Sequence, residues 1–190
     1  MVFFYRLRAL ALVVFIFLCI SCGREPSNEK QRSTSLTEGA AMATPGRVQV
    51  KWLDFDDGLA KAQSNNKPLF IHFYTEWCLY CKKFNHDTLQ NRKVARMLAE
   101  NFVSVRLEAD SNSHRLRYQG KTFSNADFSR YFGVTAFPTQ VFLDASGQPI
   151  TMIPGYMPAS QFLTVLSYIQ KKCYLTKISF HEFARSGTCN

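Results

Sequence analysis

Two cysteines in the middle of the chain, Cys78 and Cys81, have the spacing that dithiol redox chemistry requires. They follow the apolar run of residues 68–74, and good helix formers come after them, so the pattern predicts a buried strand leading into an α-helix. Unpaired N–H groups and the macrodipole at a helix N-terminus stabilise a thiolate, which lowers its pKa below the free value of about 8.5. We therefore expect Cys78 to be the attacking sulfur and Cys81, on the same helix face, to resolve a mixed disulfide.

The same pair could instead be half of a zinc site, which needs a second pair of ligands at metal-like spacing. The sequence contains no such pair, because its other four cysteines are scattered. Lys82 excludes the Cys-x-x-Cys-His signature of haem attachment. We predict no metal site and no cofactor, and metal delivery through the thiols is the alternative that remains open.

Three segments resemble the thioredoxin superfamily: Lys67-Pro68, the motif at residues 73–82, and Gly133-Val134-Thr135-Ala136-Phe137-Pro138-Thr139. Within it, the chain is similar to the periplasmic branch that includes SoxW-like thioredoxins and the C-terminal domain of DsbD. The resemblance covers about residues 48–170 and implies an α/β thioredoxin fold, with a central mixed sheet of four to five strands flanked by helices on both faces. It implies that the chain is a thiol:disulfide oxidoreductase.

The resemblance also implies roles for residues around the cysteines. Pro138 is expected in the cis form, offering backbone to a substrate chain, although an X-Pro bond is cis in only about 5% of cases. Trp77 is expected beside the nucleophile, and the substrate is expected to contact Leu79, Tyr80, Phe137 and Thr139.

His72 departs from the family pattern. Thioredoxins carry a buried Asp six residues before the first cysteine, where it aids proton removal from the resolving thiol. An imidazole there could relay protons near neutral pH, or it could be a hydrogen-bonded core residue. Glu76 is a second, weaker candidate for proton transfer.

Residues 1–22 indicate a signal peptide, because Arg6 and Arg8 precede an apolar run of about a dozen residues that is too short to span a membrane. Ser21-Cys22-Gly23 resembles a lipobox, with Cys19 as a departure from the usual Leu. We predict a lipoprotein with lipid on Cys22, and ordinary cleavage or an uncleaved anchor are the alternatives. The polar composition of residues 23–46 predicts a flexible linker.

The domain is expected at residues 47–171, where local patterns predict several elements. They predict a short strand at 48–52, a helix capped by Asp54 or Asp56, and a long polar loop at 110–123. Asn91, Ser124 and Ser179 each have the pattern of a helix N-cap, and a hairpin turn at 145–148 leads to an edge strand.

The extension at residues 172–190 contains Cys173 and Cys189, the two cysteines that remain once Cys22 carries lipid and Cys78 pairs with Cys81. In an oxidising periplasm we expect them to form a structural disulfide, with a second redox relay as the alternative. The net charge of +9 is spread along the chain without a basic run, so nucleic acid is not an expected partner.

The predicted function is thiol–disulfide exchange in the cell envelope with proteins that carry a disulfide or a dithiol. Reduction is the expected direction, and a transmembrane thiol carrier would supply the electrons. The alternatives are a redox-inactive binding module with the thioredoxin fold and the metal-delivery protein named above.

Overall fold

The computed structural model describes residues 48–190. The predicted signal peptide, the lipidation site at Cys22 and the linker at 23–46 therefore lie outside the described residues. The strands are β1 (Trp52–Leu53), β2 (Leu69–Tyr74), β3 (Val103–Glu108), β4 (Arg115–Tyr118), β5 (Lys121–Ser124), β6 (Thr139–Leu143) and β7 (Pro149–Pro154). The α-helices are α1 (Phe55–Asn65), α2 (Leu79–Phe84), α3 (Arg92–Asn101), α4 (Asn125–Tyr131), α5 (Ala159–Gln170) and α6 (Phe180–Ser186).

Five strands form one mixed sheet in the order β1-β3-β2-β6-β7. β1, β3 and β2 run parallel, whereas β6 is antiparallel to β2 and β7 is antiparallel to β6. Because alternate residues of β2 point to opposite faces, Ile71 packs in the core beneath α1 and α4, and Phe70 packs in the core beneath α2, α3 and α5. The predicted mixed sheet of four to five strands with helices on both faces is confirmed, with five strands.

Two sequence predictions in this region were wrong. The strand expected at 48–52 comprises only Trp52 and Leu53, because β1 is an edge strand that pairs over just two residues with β3. The polar loop expected at 110–123 contains the β4–β5 hairpin instead. Its two-residue turn uses Gln119 and Gly120, both at positive φ, which matches the twist of antiparallel strands.

The chain after α5 is held against that helix by several contacts. The Tyr168 hydroxyl donates to the backbone carbonyl of Ile178 at 3.1 Å, and the Tyr168 ring packs edge-on against Phe180 and Phe183. Ser179 forms a capping box with Glu182 at the start of α6, as predicted. Cys173 is buried and bonded to Cys189, with their Cα atoms 5.3 Å apart.

Replacing the half-buried partner of that bond tests whether it stabilises the fold. We expect Cys189→Ser to lower the free energy of unfolding by about 3 kcal/mol, because closing a loop of roughly this length restricts the unfolded chain by that amount. Denaturant unfolding without reductant would measure the change. Under strong reductant, which opens both disulfides, the wild type and the variant should be equally stable, and equal stability of the two without reductant would contradict the prediction.

Candidate active site

Cys78 and Cys81 lie at the first turn of α2. Cys78 is the N-cap residue, its backbone N–H donates to the Thr75 carbonyl at 3.2 Å, and α2 begins at Leu79. The Cys81 backbone N–H donates to the Cys78 Sγ at 3.0 Å. The two cysteines are bonded to each other, with Cα atoms 5.2 Å apart, and are only 5% and 4% exposed. The apolar β2 strand positions this turn, because it is buried between both cores and ends just before it.

The second motif lies next to the cysteine turn. The Phe137–Pro138 peptide bond is cis, and β6 begins at the following residue, Thr139. The Pro138 carbonyl accepts the N–H of Gly155 at 2.7 Å, and the Thr139 hydroxyl donates to the Ala136 carbonyl at 2.7 Å. These two hydrogen bonds fix the conformation of the cis-proline loop. Its contact with the first motif is an edge-to-face pair of rings, Phe137 and Trp77, whose centroids are 5.9 Å apart.

Three large apolar side chains beside the cysteines are exposed to solvent. Trp77 is 68% exposed, Leu79 is 77% exposed and Tyr80 is 63% exposed. Apolar side chains grouped on a surface in this way are typical of a contact site for another protein. We refer to Trp77, Leu79 and Tyr80 as the apolar rim.

Asp110 fixes the orientation of the rim tryptophan. The Trp77 indole N–H donates to the Asp110 Oδ2 at 3.0 Å. Sequence reasoning placed residue 110 in the polar loop at 110–123 and assigned Asp110 no role in the site. The available signal was its position directly after β3, because the carboxyl ends of the parallel strands β2 and β3 meet at the same edge of the sheet.

His72 lies in the middle of β2 and is fully buried. Its ring stacks on Phe84 of α2, with centroids 5.4 Å apart, and on Tyr74 at 6.0 Å. Burial, with a smaller contribution from the charge of Arg106, lowers the pKa of His72 to about 3. The ring is therefore neutral at neutral pH. Its Nδ1 atom has no hydrogen-bond partner within residues 48–190.

Glu76 is exposed to solvent, and it interacts with Tyr74. Burial raises the pKa of Tyr74, the charge of Arg106 opposes that shift, and the nearby Glu76 carboxylate adds to it. Arg106 stacks on the other side of this tyrosine, with its guanidinium carbon 3.8 Å from the ring centroid. The contacts of Glu76 thus place it at the edge of the site.

Two absences hold for the part of the chain that the structure describes. Among residues 48–190, no group of three or more His, Cys, Asp and Glu side chains is arranged to hold a metal ion. In the same part of the chain, no helix has the length and apolar character needed to cross a membrane.

A mixed five-stranded sheet, with a Cys-x-x-Cys pair at a helix start beside a cis-proline loop, defines a thiol–disulfide oxidoreductase. The chain belongs to the thioredoxin-like domain family, whose pattern it matches over residues 55–170. It is 34% identical over 104 residues to the thiol:disulfide interchange protein DsbD of Yersinia pestis. That match covers 54% of this chain but only 16% of the relative, so the chain corresponds to a small part of that protein.

Solved structures agree with this assignment. A thioredoxin-fold protein from Helicobacter pylori superposes with a TM-score of 0.55 at 22% identity, covering 68% of this chain and 91% of that one. A thioredoxin from Thermus thermophilus superposes with a TM-score of 0.53 at 26% identity, covering 64% and 87%. The solved structures confirm the expected thioredoxin fold, and the family and the DsbD relative confirm the oxidoreductase class.

Proposed function

We propose that the protein exchanges its Cys78–Cys81 dithiol or disulfide with partner proteins of the cell envelope. In the reducing direction, the Cys78 thiolate attacks a partner disulfide, a mixed disulfide forms, and the first partner sulfur leaves with an electron pair and takes a proton. Cys81 then loses its proton and attacks the Cys78 sulfur. The second partner thiol is released and the Cys78–Cys81 disulfide remains, so two electrons have passed to the partner and no cofactor is needed.

The position of Cys78 at the helix start carries this proposal. Its sulfur accepts the backbone N–H of Cys81 at 3.0 Å, and a thiolate there gains from the same donor and from the positive end of the helix. Cys81 lies inside the first turn, where it can reach the Cys78 sulfur without any movement of the backbone.

The partner would contact the apolar rim and the cis-proline loop. Pro138 and the two residues beside it, Phe137 and Thr139, would offer backbone to an extended segment of the partner. The Pro138 carbonyl is already taken by Gly155, so the backbone of Phe137 is the better candidate for such pairing. Trp77, held by Asp110, would then pack over the partner cysteine.

We favour reduction as the direction, as the resemblance to electron-receiving periplasmic domains implies, while the similarity to a thiol:disulfide interchange protein supports the exchange chemistry itself. A transmembrane thiol carrier would supply the electrons. The test is whether the reduced protein cleaves the disulfides of insulin, followed by turbidity. Activity that depends on Cys78 supports the proposal, and a folded protein without activity supports a redox-inactive binding module.

The proposed location is the periplasm, with a lipid on Cys22 attaching the chain to the inner or outer membrane. We expect Cys22→Ala to move most of the protein from the membrane fraction to the soluble fraction, because the thiol that carries the lipid is lost. Fractionation of cells that express the full chain would measure this. Cys19→Ala is the matched control and should leave the protein with the membrane, and retention of the Cys22 variant there would contradict the proposal.

A further inference from the structure

Three lysines from separate segments of the chain line one cleft at the end of the domain opposite the redox pair. The cleft has a volume of about 330 Å³, and the three residues are Lys51, Lys61 and Lys67. Lys51 precedes β1, Lys61 lies in α1, and Lys67 follows α1. They form no basic run in the sequence, so the fold is what brings them together. We refer to this site as the lysine cleft.

The positive charge of the lysine cleft is not neutralised by neighbouring acids. Among the described residues, no Asp or Glu side chain lines the cleft, and none of the three lysines forms an ion pair. In that part of the chain, their only side-chain hydrogen bond runs from the Lys67 ammonium group to the backbone carbonyl of Glu100. A carbonyl carries no net charge, so the cleft presents three positive charges without a paired anion.

A buried hydroxyl without a partner also lines the cleft. Ser104 of β3 is only 4% exposed, and its hydroxyl makes no hydrogen bond to any residue in the range 48–190. β1 begins at Trp52, which lies opposite Ser104, so β1 leaves the edge of β3 uncovered just before that residue. Because buried polar groups normally have partners, this hydroxyl points to a ligand that supplies one.

The floor of the cleft is apolar, with Leu53, Leu98 and Phe102 among its lining residues. Lysine ammonium groups bind phosphate as point charges, and a serine hydroxyl can donate to a phosphate oxygen. The lining therefore fits a phosphate group that is attached to an apolar moiety, as in a phospholipid. We propose that the lysine cleft binds the headgroups of anionic phospholipids at a membrane surface.

Such binding would direct the redox pair away from the membrane. Lys67 precedes β2 and Cys78 follows it, and a strand of six residues is about 20 Å long. The cleft at the cysteine end of the sheet has two guanidinium groups and more carboxylates, namely Arg106, Arg115, Asp54, Asp56, Asp57 and Glu108. An anionic membrane therefore attracts the lysine end more strongly. A tether from Cys22, as proposed above, would join the domain at Val48, three residues before Lys51.

Binding to lipid vesicles tests the inference. The protein is the full chain with Cys22→Ala, so that no attached lipid holds it, and the vesicles contain phosphatidylcholine alone or with phosphatidylglycerol. We expect the protein to sediment with the phosphatidylglycerol vesicles and not with the others. The triple variant Lys51→Gln, Lys61→Gln, Lys67→Gln should bind about a hundredfold more weakly, since each lysine near an anionic surface strengthens binding about fivefold.

The matched control replaces three other exposed lysines by Gln: Lys82, Lys93 and Lys121. It lowers the net charge by the same amount outside the lysine cleft and should retain most of the binding. Ser104→Ala should weaken binding a few fold without a change in charge, because the headgroup loses a hydrogen bond. If the triple variant unfolds, Lys51→Gln, Lys61→Gln keeps the contact of Lys67 with Glu100 and should bind about thirtyfold more weakly.

Equal weakening in the two triple variants would show attraction by net charge alone and would overturn the inference, as would equal binding to both kinds of vesicle. Displacement by inorganic phosphate, but not by chloride at equal ionic strength, would assign the cleft to free phosphate. Binding to polyglutamate and not to vesicles would assign it to an acidic protein, and either result also rejects the lipid. The lysine variants should reduce insulin at the wild-type rate, so failure of the proposed function would be seen in a different assay.

Discussion

Cys78→Ser should lower the rate of insulin reduction by roughly a thousandfold or more, since the thiolate is the nucleophile and a serine hydroxyl does not ionise at neutral pH. The structure explains why this sulfur carries the reaction although it is almost as buried as its neighbour. Cys78 and Cys81 differ by only one percentage point in exposure, so exposure does not distinguish their roles. Their positions in α2 do: Cys78 caps the helix and Cys81 lies within it.

Cys81→Ser separates the two steps of the reaction. This variant keeps the attacking sulfur but cannot release the partner, so a mixed disulfide through Cys78 should accumulate. Electrophoresis without reductant, with and without later addition of dithiothreitol, would detect it. Cys189→Ser is the control for the loss of a cysteine outside the redox pair. It should reduce insulin at the wild-type rate and should trap no mixed disulfide. Exchange that survives in Cys78→Ser, or trapping through Cys81 in that variant, would contradict the assigned roles.

The apolar rim suggests how partner choice is separated from the chemistry. Leu79 and Tyr80 lie between the two cysteines, yet both side chains point into solvent and make no contribution to either core. Their cost to solubility is offset only when another surface covers them. A small disulfide reaches the sulfur without covering these side chains, so the rim should influence exchange with proteins more than exchange with small molecules.

The starts of α3, α4 and α6 were predicted to the residue because capping is local chemistry. The Asn91 side chain accepts the N–H groups of Lys93 and Val94, and Ser179 exchanges hydrogen bonds with Glu182. Each of these contacts spans at most three residues, so the sequence contains all the information that is needed. The cysteine pair was predicted for the same reason.

The hairpin was missed because β4 alternates charged and apolar residues over only four positions and β5 is mostly polar. Leu116 and Tyr118 are buried, whereas the arginines beside them are exposed, which is the strand pattern over only four residues. The burial of the hairpin depends on residues that are distant in sequence. For example, the Tyr118 hydroxyl donates to the carbonyl of Gly147 at 2.9 Å. No local pattern indicates such a contact.

The part of the site that sequence reasoning missed is also a contact between distant segments. Asp110 bonds to Trp77 across 33 residues of sequence. This contact follows from the strand order, in which β2 lies beside β3. Sequence patterns indicated these strands but not which of them are neighbours, so the residues beside the cysteines could be assigned only through the resemblance.

His72 should make the fold sensitive to acid. In the unfolded chain its pKa is near 6.5, whereas burial lowers the pKa in the folded protein to about 3. Between these values the unfolded state binds a proton that the folded state does not, so stability is fully present above about pH 6.5 and is lost as pH falls towards 3. We expect a loss of about 1.4 kcal/mol per pH unit from this residue in that window.

His72→Phe is the test, because phenylalanine preserves an aromatic ring against Phe84 and has no proton to bind. Denaturant unfolding at several pH values between about 7 and 4 should give a shallower pH dependence for the variant than for the wild type. Carboxylates with lowered pKa values, at Asp87, Asp127, Asp144 and Glu182, also lose stabilising interactions in acid. They are present in both proteins and therefore cancel in the difference.

The exposed His114 provides the matched control for removal of a histidine. Unfolding of His114→Gln at the same pH values controls for the loss of a histidine from the surface. Parallel stability curves for the wild type and His72→Phe would show that the buried ring takes up its proton without unfolding the protein. In that case the sheet beneath the cysteines would have to open to water in acid.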